Sequence, residues 1–79
     1  MSATTYDRLV EIVTTVHDAP THRISPDITF AQLDVDSLTM VEIGMRIERD
    51  LGVHITDDEL SEDLTLGATS TLIETRLGQ

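Results

Sequence analysis

A serine between an aspartate and a leucine, Asp36-Ser37-Leu38, is where this 79-residue chain is best equipped for chemistry. A serine is a nucleophile in its own right only with a base in hydrogen-bond reach and a third group orienting that base. The imidazoles are His17, His22 and His54, and no motif surrounds any of them. There is no Gly-x-Ser-x-Gly elbow either. The histidines read as surface or loop residues, and no catalytic residue is assigned. A calcium loop opening at Asp34-x-Asp36 would need a third ligand, a glycine and a terminal glutamate, where Leu38, Thr39 and Met45 stand. The acids Asp57, Asp58, Glu59, Glu62 and Asp63 offer only unspecific divalent-ion binding, so no metal site is assigned. With no cysteine in the chain, thiol chemistry requires an added group.

The elements that must hold Ser37 follow from spacing. Asp36 is a strong N-cap type, able to accept a first-turn N–H, and it places Ser37 at the first helical position. An anionic group attached there would be stabilised by the helix dipole and by first-turn N–H groups. The helix runs on to Leu51, where Gly52 stops it. Projected at about 100° per residue, Met40, Ile43, Ile47 and Leu51 form one apolar stripe. Leu38, Val41 and Met45 form a second stripe on the Ser37 end. In so small a domain the second stripe reads as an exposed contact patch.

Around this helix the chain predicts an all-α fold, a small four-helix bundle with three longer helices, a short third one, and a long loop between helices one and two. Residues 1–4 read as frayed. Thr4 with Asp7 resembles a capping box, and Tyr6, Leu9, Val10, Val13 and Val16 follow helical spacing over roughly Thr5 to His17. The loop from Asp18 to Val35 contains Pro20 and Pro26. Ser25-Pro26 suggests an N-cap and N1 pair opening a short helical turn, with Ile28, Phe30 and Leu33 brought onto the core. Thr56-Asp57-Asp58-Glu59 predicts the short helix, about Asp57 to Glu62, with Leu60 inward. Thr65 caps a last helix through Leu66, Leu72, Ile73 and Leu77; Gly67, Thr69, Ser70 and Thr71 weaken its first half, which is expected to fray.

Residues 1–79 can form only one domain, with a modest aliphatic core. The 15 acidic residues outnumber five arginines, for a formal charge of −10. Eleven of the 15 lie between Asp27 and Asp63, opposed there only by Arg46 and Arg49. Such a surface repels nucleic acid and anionic membranes and suits a basic partner. No apolar run approaches a membrane span and no signal-peptide pattern opens the chain, so a cytoplasmic location is expected.

The segment Leu33-Asp34-Val35-Asp36-Ser37-Leu38, with Phe30 before it and Met40-Val41-Glu42-Ile43 after it, resembles the modification site of acyl carrier proteins, most closely those of actinobacterial fatty-acid and polyketide systems. The resemblance implies that Ser37 carries a covalent 4′-phosphopantetheine arm, transferred from coenzyme A by a phosphopantetheinyl transferase. Asp36 and Leu38 would complete the recognised motif. The arm's thiol would hold acyl chains as thioesters, shielded in a shallow apolar interior. Leu38, Val41, Glu42, Met45 and Glu48 fall where the family contacts its ketosynthase, acyltransferase and other synthase enzymes. The expected protein is a monomeric, non-catalytic carrier in polyketide or fatty-acid biosynthesis, antibiotic pathways included.

Some positions depart from the family pattern. Asp34 stands where many fatty-acid carriers have glycine, and Gln32 and Thr39 where they have acids. Asp tolerates unusual loop conformations, so Asp34 threatens little. Arg46 and Arg49 interrupt the acidic face, and Gly44 does not help helicity; these differences favour a specialised pathway. A peptidyl or aminoacyl carrier is the nearest alternative, but Val35-Asp36 lacks the glycines usual before the serine. The alternative outside the carrier class is an acidic helical adaptor that bears no group.

Overall fold

The computed structural model describes residues 4–18, 21–56 and 58–78. Pro20, Asp57 and the first three residues, part of the expected frayed end, lie outside that set. The first helix, α1, spans Thr5–Val16. Its capping box is complete: the Thr4 hydroxyl accepts from the Asp7 amide at 3.1 Å, and the Thr4 amide donates to the Asp7 carboxylate at 3.2 Å. Helix α2 covers Ser37–Leu51 and ends at Gly52, whose φ of 71° is the left-handed conformation glycine adopts without cost. Helix α3 covers Leu66–Leu77. Helix α1 packs against both of the others.

The core is aliphatic apart from Phe30. Leu9 and Val13 of α1, Ile43 and Ile47 of α2, Leu66 and Ile73 of α3, and Phe30 from the long loop are all fully buried. Each such side chain contributes about 1.5–3 kcal/mol on leaving water. Ile12 is buried with them, an inward position absent from the predicted stripe.

The long loop is ordered by hydrogen bonds as well as burial. Two short 3₁₀ turns, Thr21–Arg23 and Ala31–Leu33, punctuate it. The expected helical turn at Ser25-Pro26 is instead a tight turn closed by the Ile28 amide on the Ser25 carbonyl at 3.3 Å. The reason lies in the partners of this backbone. The Pro26 carbonyl accepts from the Gly67 amide at 2.9 Å, and the Ile28 carbonyl from the Leu66 amide at 3.0 Å. Both acceptors would be spent on a helix running through these residues. Together with the Thr65 hydroxyl, which takes the Ala68 amide at 3.0 Å, they satisfy the first three N–H groups of α3.

That arrangement also corrects the expectation of a frayed α3. Its first half is the packed half, with Thr69 and Ser70 buried and the Thr69 hydroxyl bonded to the Thr65 carbonyl at 2.9 Å. Leu77, at the other end, is half exposed.

Among the described residues the expected short third helix does not form. Residues 58–60 and 62–64 form turns, so the described residues hold three α-helices and not a four-helix bundle. The Thr56 carbonyl accepts from both Glu59 and Leu60, and one turn is all that forms. Just past that turn the segment pairs with the long loop instead of continuing as a helix. Ala31 donates to the Glu62 carbonyl at 3.0 Å and Phe30 to that of Leu64 at 3.3 Å. Glu59 still reaches back to the Thr56 hydroxyl at 3.0 Å and pairs with Arg76 of α3. Leu60 is inward as expected, and it packs at Gly44, where an added Cβ would meet it at 3.4 Å. The glycine inside α2 is thus explained by the approach of this segment.

Candidate functional site

Val35 and Leu33 are buried and anchor the chain entering α2, while Asp34 between them takes φ 63°. Asp is one of the few non-glycine types that visits this region readily. The Val35 amide returns to the Phe30 carbonyl at 3.1 Å and the Asp34 amide to that of Ala31 at 3.0 Å. Asp36 leaves this turn extended, with ψ 175°, and its carboxylate accepts from the Thr39 amide at 2.8 Å. That N–H bond is the main reason its carboxyl is held below the ordinary carboxylate value; the charge of His17 is a lesser cause.

Ser37 is exposed at the first position of α2. Of the four first-turn donors, Met40 bonds the Asp36 carbonyl and Thr39 the Asp36 carboxylate. The amides of Ser37 and Leu38 have no intrahelical partner by position, so they face the space in front of the helix together with its positive end. An anion tethered to Ser37 Oγ would meet favourable charge there.

The two stripes of α2 separate as expected. Met40, Ile43 and Ile47 are buried, whereas Leu38, Val41 and Met45 are 69%, 46% and 65% exposed. Glu42 and Glu48 are exposed on the same helix. Glu48 pairs with His54 at 3.2 Å. Arg46 and Arg49 both turn to Asp50, at 3.9 and 3.2 Å, so the interrupting cations are partly answered within their own helix. Among the described residues, no group of three or more His, Asp or Glu side chains is placed to hold a metal ion. Nor, among the described residues, is any helix long and apolar enough to cross a membrane.

A supporting layer behind the site escaped the sequence reading. The Thr29 amide donates to Gln32 Oε1 at 2.9 Å and the Gln32 amide to Thr29 Oγ1 at 3.1 Å. This reciprocal pair is a capping box for the 3₁₀ turn before Ser37, legible in retrospect as Thr-x-x-Gln. His17, half-buried at the end of α1, reaches the Leu33 carbonyl at 2.7 Å. Arg23 donates to the Gln32 carbonyl at 2.5 Å. Neither long-range contact has any signal in the local sequence.

Comparison with known proteins places most of the chain in one family. The family model described as "phosphopantetheine attachment site" matches residues 7–73. The chain is 43% identical over 60 residues to an acyl carrier protein of Acidothermus cellulolyticus, covering 75% of this chain and 71% of that one. It is 36% identical over 73 residues to polyketide-8 synthase acyl carrier protein 2 of Streptomyces avermitilis, covering 91% and 84%. Similarity to the meromycolate extension acyl carrier protein of Mycobacterium leprae is 37% over 67 residues, covering 84% and 58%.

Proposed function

The chain belongs to the acyl carrier family that bears a phosphopantetheine attachment site, and from that premise we propose that Ser37 is the attachment point and the chain a substrate of a phosphopantetheinyl transferase. The observation that carries this reading is the exposed hydroxyl at the first position of α2, with Asp36 occupying the Thr39 amide beside it. The family is one of non-catalytic carriers, and its arm supplies the thiol that this cysteine-free chain lacks, holding acyl groups as thioesters.

The residues around Ser37 fit that group. Asp36 fixes the first turn, so the hydroxyl leaves the surface in one direction. The Ser37 and Leu38 amides and the helix dipole stabilise the phosphodiester charge. Asp36 and Leu38 flank the hydroxyl as the transferase's recognition motif. Leu38, Val41 and Met45 supply an apolar patch, and Glu42 and Glu48 an acidic frame, for basic synthase enzymes such as ketosynthases and acyltransferases. Two relatives are named for a polyketide synthase and for meromycolate extension, which supports service in polyketide or fatty-acid assembly. The working species on this reading is a cytoplasmic monomer whose single domain spans residues 1–79.

The test is intact-mass measurement after incubation with coenzyme A and a phosphopantetheinyl transferase. The wild-type chain gains one arm and Ser37→Ala gains none. At the first helical position the substitution changes stability by no more than about 0.5 kcal/mol, so loss of loading would not reflect unfolding. An arm found on Ser37→Ala would overturn the assignment.

A further inference from the structure

Two side chains from outside the Ser37 turn hold consecutive carbonyls of its leading edge. Arg23 bonds the Gln32 carbonyl, and His17, from the end of α1, bonds that of Leu33 at 2.7 Å. A carbonyl only accepts, so His17 Nε2 carries the proton and donates, in the neutral as in the charged ring. With the Asp34 amide held on the Ala31 carbonyl, the bond completes the hold on the Leu33–Asp34 peptide plane from its carbonyl side. Asp34 follows in the left-handed conformation, Val35 is buried, and Asp36 then caps α2. The orientation of one peptide is therefore passed through two constrained residues to the cap that aims Ser37.

We propose that His17 is a positioning residue for loading of the arm: its Nε2–H holds the Leu33–Asp34 peptide so that Asp36 and Ser37 are presented in a single geometry. This rests on the reading of Ser37 as the attachment point. The role is separable from holding the fold. Phe30, Leu33 and Val35 keep the loop on the core through burial, and water can take over the Leu33 carbonyl if the imidazole is lost. What is lost with it is the unique setting of the turn, and a transferase that docks on a turn of several settings meets the right one less often.

The test compares the full-length wild type, His17→Leu and His17→Gln. Glutamine places an amide N–H near the position of Nε2, whereas leucine keeps bulk without a donor. Transferase kinetics with coenzyme A, melting temperature and amide exchange at Asp34 and Val35 are measured for each. A lost hydrogen bond of ordinary strength corresponds to about a three- to tenfold effect. We expect His17→Leu to raise KM for the carrier by that factor with kcat little changed, and to speed exchange at Asp34 and Val35. His17→Gln should restore both to within about twofold of wild type, since one neutral donor replaces another. Wild-type KM and exchange in His17→Leu overturn the proposal. So does a His17→Gln chain as impaired as His17→Leu, or a His17→Leu chain that fails to fold, which would make the residue structural. Failure of the Ser37 reading is distinct: the wild type would then take no arm, or Ser37→Ala would take one.

Discussion

Gly67 and Pro26 meet backbone to backbone. The Gly67 amide donates to the Pro26 carbonyl at 2.9 Å, and a Cβ on Gly67 would stand 3.0 Å from that oxygen and 3.2 Å from the Pro26 Cβ. The long loop is clamped to the start of α3 at this point, and the site turn lies a few residues further along the same loop.

Gly67→Ala separates propensity from packing. Alanine in a helix interior gains about 1 kcal/mol over glycine. Here the new methyl presses on backbone, which yields less readily than a side-chain tip, and overpacking of this kind costs about 1–3 kcal/mol. The expected outcome is a net loss of about 1 kcal/mol, or a melting temperature lower by about 4–8 °C for a domain of this size. A rise in melting temperature would show that the loop gives way freely.

The pH dependence of stability should carry the mark of Asp36. Its carboxyl lies below the ordinary 3.8 in the folded chain, first through the Thr39 amide. A group with a depressed folded pKa stabilises above its unfolded pKa, and that contribution is lost as pH falls through the folded value. Asp36→Asn keeps a capping oxygen but cannot titrate. Wild type should therefore be the more stable of the two at neutral pH, with the gap closing as pH drops below about 4. Denaturant melts of both proteins across that range provide the check, and a gap independent of pH would refute it.

Salt should stabilise the fold. Like charges repel in the compact state, and with a formal charge of −10 on 79 residues the acids far exceed what five arginines can answer. The Arg46–Asp50 and Arg49–Asp50 pairs are largely solvated, so screening them loses little. Melting temperature should rise from low to moderate salt, where the Debye length shortens to about 10 Å at 0.1 M. A flat or falling curve would mean that the repulsion is unimportant.

What the sequence disclosed was local. The caps at Thr4, Asp36 and Thr65, the stop at Gly52 and the two stripes of α2 are set by side chains acting within a turn or two, and each stands where spacing put it. Thr56-Asp57-Asp58-Glu59 and Ser25-Pro26 both have helix-starting residues, but each stretch leads into backbone paired over long range. Pro26 and Ile28 give their carbonyls to the first amides of α3, and Glu62 and Leu64, just past the Thr56 turn, give theirs to Ala31 and Phe30 of the long loop. Gly67, Thr69 and Ser70 look like weak helix formers, yet Gly67 is the residue small enough to let the loop meet α3, and Thr69 and Ser70 are buried. His17 was legible as a titratable residue, but its reach to Leu33 depends on the α1–loop geometry alone.

The two faces of α2 make opposite predictions for neighbouring substitutions. Met45 is 65% exposed just past the middle of α2, and Ile47, two residues on, is fully buried. Met45→Glu removes little buried area, so the domain should melt within a few degrees of wild type. It does place a charge in the apolar patch formed with Leu38 and Val41, and desolvating that charge against a partner has a cost the methionine does not. Transfer of the arm or of an acyl group should slow, chiefly through weaker docking, while Glu42 and Glu48 still steer the approach of basic enzymes and preserve its salt dependence. Ile47→Ala has the reverse profile. Truncating a buried aliphatic costs about 2–5 kcal/mol, comparable to the roughly 3–5 kcal/mol that a core of this size supplies, so much of the protein should be unfolded while the folded fraction remains a competent substrate. Thermal unfolding of both variants alongside transferase kinetics separates the two effects. If Met45→Glu unfolds the protein and Ile47→Ala does not, the inward and outward faces of α2 have been interchanged.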